Sequence, residues 1–198
     1  VHIRPLMRTY EWSVWSQDEQ KFTCKSVQRP TLSGEFPDNQ GGNKCGRLTR
    51  AEEETLPDDD PRVILSQSVN CNQVLYGVLD APDATAADGT KTPLENVPFM
   101  AYFKRSGFRP VRDFIDQQLT RRKILMQKAV IELTTEKNKK GSVIFWTPKL
   151  SLVKEVSITD ADKDLIKNFG ETVKAHNESV MVEYKAAVKM SMNDEDLD

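Results

Sequence analysis

The N-terminal residues alternate between apolar and polar in the pattern of a β-strand. In residues 8–15 every second side chain is apolar, and after the polar residues 16–20 a second alternating run follows. The positions on the shared faces are Tyr10, Trp12 and Val14 in the first run and Phe22, Cys24 and Ser26 in the second. This pattern predicts a β-hairpin. Residues 29–61 then hold many proline and glycine residues and few apolar ones, which predicts a long irregular loop.

Three short apolar runs in the middle of the chain predict further strands. These runs are residues 63–69, 74–79 and 97–103. Gly107 and Pro110 interrupt the chain after the third run, and the segment 111–124 then has the periodicity of a short helix. Its apolar face consists of Val111, Phe114, Ile115 and Leu119. Packing of this face against the strands is expected to form the core.

The last third of the chain predicts a hairpin followed by one long helix. Residues 127–136 alternate, and residues 143–146 return as their antiparallel partner after a polar turn at 137–141. Thr159 and Asp162 have the spacing of a capping box at the start of a helix. Apolar residues then recur at helical spacing up to Val188. The pattern as a whole predicts a β-rich α+β fold.

Charge is divided into blocks along the chain, although the formal net charge is only −2. Residues 1–100 carry a net charge of −5 and residues 155–198 a net charge of −6. The block 101–154 between them contains 13 Lys and Arg but only 4 Asp and Glu, a net charge of +9. Such a one-sided excess predicts a polyanionic partner, and nucleic acid is the natural one.

The candidate nucleic-acid-binding residues all lie within this basic block. The cations are Lys104, Arg105, Arg109, Arg112, Arg121, Arg122, Lys123, Lys128, Lys137, Lys139 and Lys140. The aromatic candidates are Tyr102, Phe108 and Trp146. Bases of a single strand stack on exposed aromatic rings while cations follow the phosphates. Adjacent residues on a strand point to opposite faces, so one ring of Tyr102/Phe103 and one of Phe145/Trp146 must leave the core side.

The sequence offers no arrangement of residues that predicts catalysis, a metal site or a cofactor. No phosphate-binding glycine loop before a helix, nucleophile elbow or HExxH-type motif occurs. The three cysteines are odd in number and widely spaced, which predicts ordinary thiols in a reducing compartment. A zinc site would normally bring Cys or His residues in close pairs, and here they are at least 21 positions apart. The chain is therefore interpreted as non-enzymatic.

The acidic C-terminus indicates possible partners, and the length of the apolar runs indicates the expected location of the protein. The last residues carry Asp194, Glu195, Asp196 and Asp198, an acidic tail that could occupy a basic groove or recruit replication proteins. No apolar run is long enough to span a bilayer, and no signal peptide is recognisable. We expect a soluble, cytoplasmic protein with no membrane partner.

Four stretches of the chain resemble a group of phage-encoded single-stranded DNA-binding proteins built on an OB-like β-barrel. They are Val74–Leu79 with Gly77, Pro98–Pro110, Leu125–Lys140 with its Thr134-Thr135-Glu136-Lys137 segment, and the acidic end. The resemblance implies an OB-like antiparallel β-barrel with a short internal helix and a long C-terminal helix. It also implies a protein that coats or protects single-stranded DNA in a phage-infected bacterium, without catalysis.

The expected organisation has three parts: a β-rich nucleic-acid-binding domain over residues 1–157 that includes loop 29–61, an amphipathic helix over 158–190, and an acidic tail over 191–198. The expected function is the coating of single-stranded DNA during phage replication or recombination. The alternative is a virion or assembly protein that forms homo-oligomers through the terminal helix and the basic hairpin. A nuclease-like enzyme is disfavoured because no cluster of carboxylates for a metal is apparent.

Overall fold

The fold is α+β, with a six-stranded antiparallel sheet and a long C-terminal helix, as the sequence predicts at this level. The computed structural model describes residues 1–195, and the side chains of residues 1–192. The strands are β1 (His2–Ser16), β2 (Lys21–Lys25), β3 (Asn70–Ala81), β4 (Leu94–Phe103), β5 (Ala129–Lys140) and β6 (Val143–Glu155). The helices are α1 (Arg50–Glu53), α2 (Pro61–Ser68), α3 (Phe108–Asp113), a π-helical turn (Phe114–Leu119) and α4 (Asp160–Glu195).

The sheet has the strand order β4-β3-β1-β5-β6, and β2 pairs with β1 beside this path. Strands β4 and β6 stand at the two ends of the order, so the described strands do not close into the expected OB-like barrel. Closure requires a pairing between the first and last strands, and no such pairing is formed in residues 1–195. The structure therefore gives the β-rich α+β class without a barrel.

The chain divides into two compact units. Unit 1 comprises residues 1–8 and 73–170, and unit 2 comprises residues 9–72 and 171–198. Strands β1 and β3 and helix α4 each contribute residues to both units. The whole basic block 101–154 belongs to unit 1, which contains the β5–β6 hairpin.

The core of unit 1 lies between one face of the sheet and the helical segment 108–119. The strands contribute Ile3, Leu75, Ala129 and Ile131, and the helical segment contributes Val111, Phe114, Ile115 and Leu119. Four apolar positions of the helical segment, predicted from their spacing, are thus all buried in the core. Burial of each such side chain stabilises the unit by about 1.5–3 kcal/mol.

The other face of the sheet in unit 1 carries the first residues of α4. The ring of Phe169 packs on Tyr76 with 5.4 Å between ring centroids. Thr159 and Asp162 form the predicted capping box: the backbone N–H of Thr159 donates to Asp162 Oδ2 (2.8 Å), and the N–H of Asp162 donates to Thr159 Oγ1 (3.2 Å). Arg4 Nη1 also donates to Asp162 Oδ2 at 2.7 Å. The helix start is therefore anchored to β1.

Gly77 marks a close approach of β3 to β1. A Cβ atom at this position would overlap the carbonyl oxygen of Arg4, and it would also lie 3.0 Å from the ring of Phe99. A side chain larger than hydrogen is therefore excluded unless the strands move apart.

Unit 2 is ordered around a disulfide, which corrects the expectation of three ordinary thiols. Cys24 on β2 is bonded to Cys45, with 5.8 Å between their Cα atoms. Cys71 is the free cysteine. The bond joins residues 21 positions apart, Cys24 on the predicted second strand and Cys45 in the segment expected to be irregular. Which cysteines approach each other depends on the path of that segment, and spacing does not reveal it.

Residues 63–69 correct a second expectation, because most of this segment is helical and not a strand. Helix α2 runs from Pro61 to Ser68, and Asp60 caps it by accepting a hydrogen bond from the N–H of Arg62. An Asp at the N-cap followed by Pro at the first helical position is a strong start signal for a helix. In this segment the capping signal decides the structure, and the apolar run is a poor guide.

The terminal helix extends beyond its expected end. Helix α4 continues to Glu195 and so includes the first residues of the segment expected to be a tail. The remaining acidic residues Asp196 and Asp198 lie outside the described residues, as do the side chains of Asp194 and Glu195.

Candidate nucleic-acid interface

The two units carry opposite net charges. Unit 1 contains 18 Lys and Arg against 12 Asp and Glu, a net charge of +6. Unit 2 contains 10 Lys and Arg against 18 Asp and Glu, a net charge of −8. A polyanion is therefore attracted by unit 1 and repelled by unit 2.

One face of the β5–β6 hairpin packs into the core near its base and continues towards its tip as an exposed surface. Ile131 pairs with Leu152 and Leu133 with Leu150, and all four side chains belong to the core or pack against it. The same face continues outward through the pairs Lys137–Trp146 and Lys139–Ile144. Paired residues of antiparallel strands point to the same face, so Trp146 and the two lysines share one exposed surface. Trp146 is 58% exposed.

An open groove of about 670 Å³ lies beside this surface. Its lining consists of Val1, Phe103, Leu133, Thr134, Thr135, Trp146, Thr147 and Pro148. Phe103, Trp146 and Thr135 thus line one concave site, whereas the side chains of Thr134 and Thr147 alternate to the other face of the hairpin. This composition suits a flat heteroaromatic ring, which needs an apolar face for stacking and a hydroxyl group at its polar edge.

Exposed cations are neighbours of the groove residues in sequence or in strand register. Lys104 and Arg105 directly follow Phe103, and Lys137 stands opposite Trp146. Lys149 pairs with Thr134, on the other face of the hairpin. Each of these side chains is exposed. The groove is therefore bordered by positive charge from two different segments of unit 1.

A second group of cations lies at the other end of the helical segment. Arg121, Arg122 and Lys123 follow the π-helical turn, and Lys128 precedes β5. The helical segment begins near Gly107, whose ideal Cβ would lie 3.7 Å from Pro148 in the groove lining. A rise of 1.5 Å per residue over about 14 residues separates the two groups by roughly 20 Å. The predicted basic residues thus form two clusters, one near each end of the helical segment.

Two of the predicted cations are engaged by a carboxylate. Arg109 and Arg112 both contact Asp113, at 3.3 and 2.9 Å. The hydrogen bond from Arg112, the charge of Arg112 and then the hydrogen bond from Arg109 lower the pKa of Asp113. Arg112 also lies over the ring of Phe108, with 5.9 Å to its centroid. Arg109, Arg112 and Phe108 therefore form a cluster of their own, less suited to bases or phosphates than the groove.

Tyr102 is not brought to the groove. It pairs with Val74 on β3, and the next residue along β3, Leu75, points into the core. Tyr102 is therefore on the face opposite to Phe103 and the core, although it is 41% exposed. The structure thus places Phe103 and Trp146 together and leaves Tyr102 on the other side of the sheet.

The groove residues that were not among the predicted site residues are Phe103 and Thr135. Phe103 was named only as one member of an alternating pair, and Thr135 only within the segment Thr134-Thr135-Glu136-Lys137 that carries the family resemblance. A signal was present in the chain, because Thr134 and Thr135 directly precede the basic end of β5. The position of Thr135 on the same face as Trp146 depends on the hairpin register, which places Thr135 opposite Pro148.

Unit 2 contains a buried carboxylate that the sequence analysis also missed. Glu11 is 1% exposed and accepts a hydrogen bond from Gln28 Nε2 at 2.9 Å. His176 Nε2 lies 3.7 Å from Glu11 Oε2 and 3.0 Å from the carbonyl oxygen of Ser26. Burial raises the pKa of Glu11, while the nearby imidazole and Gln28 oppose the change. These contacts hold loop and helix segments of unit 2 together.

Comparisons with known proteins return no match, whether by family models, among curated proteins or among solved structures. Within residues 1–195, none of the helices combines the length and the apolar character needed to cross a bilayer.

Proposed function

We propose that this chain binds single-stranded nucleic acid through unit 1, with single-stranded DNA as the preferred ligand. The observation that carries the proposal is the shared exposed face of Trp146, Lys137 and Lys139 beside a groove in the basic unit. Cations attract the phosphates, and the exposed ring accepts a base. The OB-type barrel of the proteins it resembles is not needed for this arrangement.

The phosphate contacts come from lysines and arginines without competing acids. Among the described residues, Lys137, Lys139 and Lys140 form no ion pair, and neither do Arg121, Arg122 and Lys123. Each neutralised phosphate releases condensed counterions, so the affinity should fall as salt rises. A site made of such contacts holds the backbone with little regard for sequence.

The preference for a single strand follows from the shape of the groove. A duplex hides the faces of its bases in the stack, whereas an unpaired base can place one face on Trp146. The hydroxyl group of Thr135, which lies on the same face of the hairpin as Trp146, can donate to or accept from its polar edge. The preference for DNA, and a role in coating DNA during phage replication or recombination, rest on the resemblance to phage proteins.

A titration of labelled oligonucleotides tests this proposal. Fluorescence anisotropy with a single-stranded DNA, the duplex of the same sequence and the matching RNA should show the tightest binding for the single-stranded DNA. Affinity should fall steeply between about 50 and 200 mM salt. Equal affinity for the duplex, or an affinity that does not change with salt, would contradict the proposal.

A second function, self-assembly, is favoured by exposed apolar side chains. Val143 and Ile144 at the end of the hairpin are 62% and 54% exposed, and Val182 and Met190 on α4 are both 69% exposed. Clusters of this kind often mark contacts between proteins. Light scattering during gel filtration without nucleic acid distinguishes the two functions: an oligomer favours assembly, and a monomer that binds DNA favours the first proposal.

A further inference from the structure

Cys24, Asp38 and Cys45 bring three potential metal ligands together in unit 2. The two sulfur atoms and one carboxylate oxygen all lie within 4.8 Å of one another, and all three residues are buried. They come from three different segments: β2, the loop that follows it, and the 3₁₀ turn Lys44–Gly46. The isolated bridge between Ser26 and Asp38 holds the loop against the chain after β2.

Asp38 has one carboxylate oxygen with unused capacity. Its Oδ1 accepts hydrogen bonds from the backbone N–H groups of Gln40 and Gly42, at 3.1 and 3.0 Å. Its Oδ2 accepts one, from the N–H of Cys45 at 2.8 Å. A carboxylate oxygen has two lone-pair positions, so Oδ2 keeps one for a further partner. The three N–H donors hold the carboxylate beside the sulfur atoms.

The backbone at this corner adopts conformations that are unusual for its residues. Lys44 and Cys45 have φ values of 55° and 54°, in the left-handed region. Gly42 leaves room for the carboxylate, because a Cβ there would lie 3.1 Å from Asp38 Oδ2. Strained residues held in place by their surroundings occur often at ligand-binding corners.

The disulfide is the oxidised state of this cluster. Reduction by a dithiol transfers two electrons and two protons to the Cys24–Cys45 bond, giving two thiols and a disulfide of the reductant. A divalent metal then displaces both thiol protons and binds the two thiolates.

We propose that reduction of the Cys24–Cys45 disulfide creates a zinc-binding site formed by both thiolates and Asp38 Oδ2. Thiolates with one oxygen donor suit Zn²⁺, and water completes a tetrahedral set of four ligands. Zn–S distances of about 2.3 Å and Zn–O distances of about 2.1 Å put neighbouring donors roughly 3.5–3.8 Å apart. The sulfur atoms must therefore move apart on reduction, and the carboxylate oxygen, which lies within 4.8 Å of both sulfur atoms, must close any remaining distance.

Titration of the full chain with Co²⁺, a spectroscopic substitute for Zn²⁺, tests the proposal. After reduction with a phosphine, one equivalent of Co²⁺ should produce thiolate-to-metal charge-transfer absorption and the d–d bands of a tetrahedral ion. Addition of Zn²⁺ should remove both signals. The oxidised protein should give neither, because its sulfur atoms are bonded to each other.

Four variants assign the ligands. Cys24→Ser and Cys45→Ser should abolish the charge-transfer band, and Asp38→Asn should weaken Co²⁺ binding roughly tenfold or more. Cys71→Ser, which alters the free cysteine, should behave as the wild type. Circular dichroism establishes that each protein is folded. A folded, reduced wild type without the band, or a band that survives in Cys24→Ser, would overturn the proposal. Neither outcome affects the proposed function, which rests on unit 1.

Discussion

Lys137 and Trp146 stand directly opposite each other on β5 and β6 and point to the same face of the hairpin. Directly paired residues have Cβ atoms about 4.5–5.5 Å apart, so an ammonium group and an exposed indole ring share one patch. A nucleotide whose base stacks on the ring would have its phosphate within reach of the lysine. This pair is the smallest unit of the proposed interface, and it combines both kinds of contact.

Replacement of Trp146 by alanine should weaken binding of single-stranded DNA. A stacked base contributes about 1–3 kcal/mol, so we expect an affinity loss of roughly 5-fold to 100-fold in an anisotropy titration. Trp146→Phe keeps an aromatic ring and should recover most of the affinity. Trp15→Ala is the matched control, because Trp15 is an exposed tryptophan of the acidic unit. Equal losses from Trp146→Ala and Trp15→Ala would show that the stacking surface has been placed wrongly.

Neutralisation of Arg121, Arg122 and Lys123 together should weaken binding to all sequences alike. Loss of three phosphate contacts should also reduce the slope of log affinity against log salt by about 2 for a single strand. The matched control is replacement of Lys21, Arg50 and Arg62 by glutamine, since each of these exposed cations already pairs with an acid. If both triple variants lose affinity equally, the cations act only through net charge and the cluster is not a contact site.

The ion pair between Arg4 and Asp162 should make stability depend on pH in the acid range. The hydrogen bond from Arg4 lowers the pKa of Asp162 from 3.8 to about 2. A lowered carboxyl pKa stabilises the fold above pH 3.8, and this stability is lost as the pH falls towards 2. We expect Asp162→Asn to cost about 2 kcal/mol at pH 7 and almost nothing near pH 2, measured by urea unfolding. Asp160→Asn, at an exposed position of the same helical turn, is the matched control and should change the free energy of unfolding at pH 7 by less than about 0.5 kcal/mol.

Truncation of Phe169 tests whether α4 is packed against the sheet of unit 1. The ring contacts Tyr76 but is only partly buried, so Phe169→Ala should cost about 2–3 kcal/mol, less than the loss of a fully buried ring. Val182→Ala on the exposed face of the same helix should change the free energy of unfolding by less than about 0.5 kcal/mol. A neutral Phe169→Ala would mean that the contact does not support the fold, and it would favour a helix available for assembly.

Deletion of residues 191–198 should tighten DNA binding if the acidic end competes with phosphate for the same cations. Exposed ion pairs contribute about 0.2–1 kcal/mol each, so we expect a gain of a few-fold to about tenfold at low salt and almost none at high salt. A chain of the same length with Asp194, Glu195, Asp196 and Asp198 changed to amides should behave like the deletion. If the affinity for DNA is unchanged at every salt concentration, the acidic end does not compete with phosphate for these cations.

Local patterns predicted the elements whose signals lie close together in the sequence. The capping box of Thr159 and Asp162 and the apolar face of residues 111–124 are both present, because a few neighbouring residues determine each of them. The β5–β6 hairpin was also predicted, but its strands are longer than expected. Its turn is confined to Gly141 and Ser142, so Lys137 and Lys139 lie on a strand beside Trp146 and not in a turn.

Features that depend on distant segments could not be read from the sequence. The Cys24–Cys45 bond requires the loop between them to fold back onto β2, and no local pattern encodes that path. The separation of Tyr102 from Trp146 likewise depends on which face of β4 meets the core. For the candidate site, composition indicated the unit and the kind of ligand, whereas strand register determined which residues form the groove.

The opposite charges of the two units have a consequence for how this protein behaves in purification. Its sequence pI of about 5.8 suggests an acidic protein that a cation-exchange or heparin column would not retain at neutral pH. Unit 1 nevertheless presents a local net charge of +6, and unit 2 one of −8. Columns of both signs should therefore retain the same preparation, and nucleic acid from the host cell should copurify with it until high salt is applied. An absorbance ratio at 260 and 280 nm measured before and after a salt wash would reveal such carried-over nucleic acid.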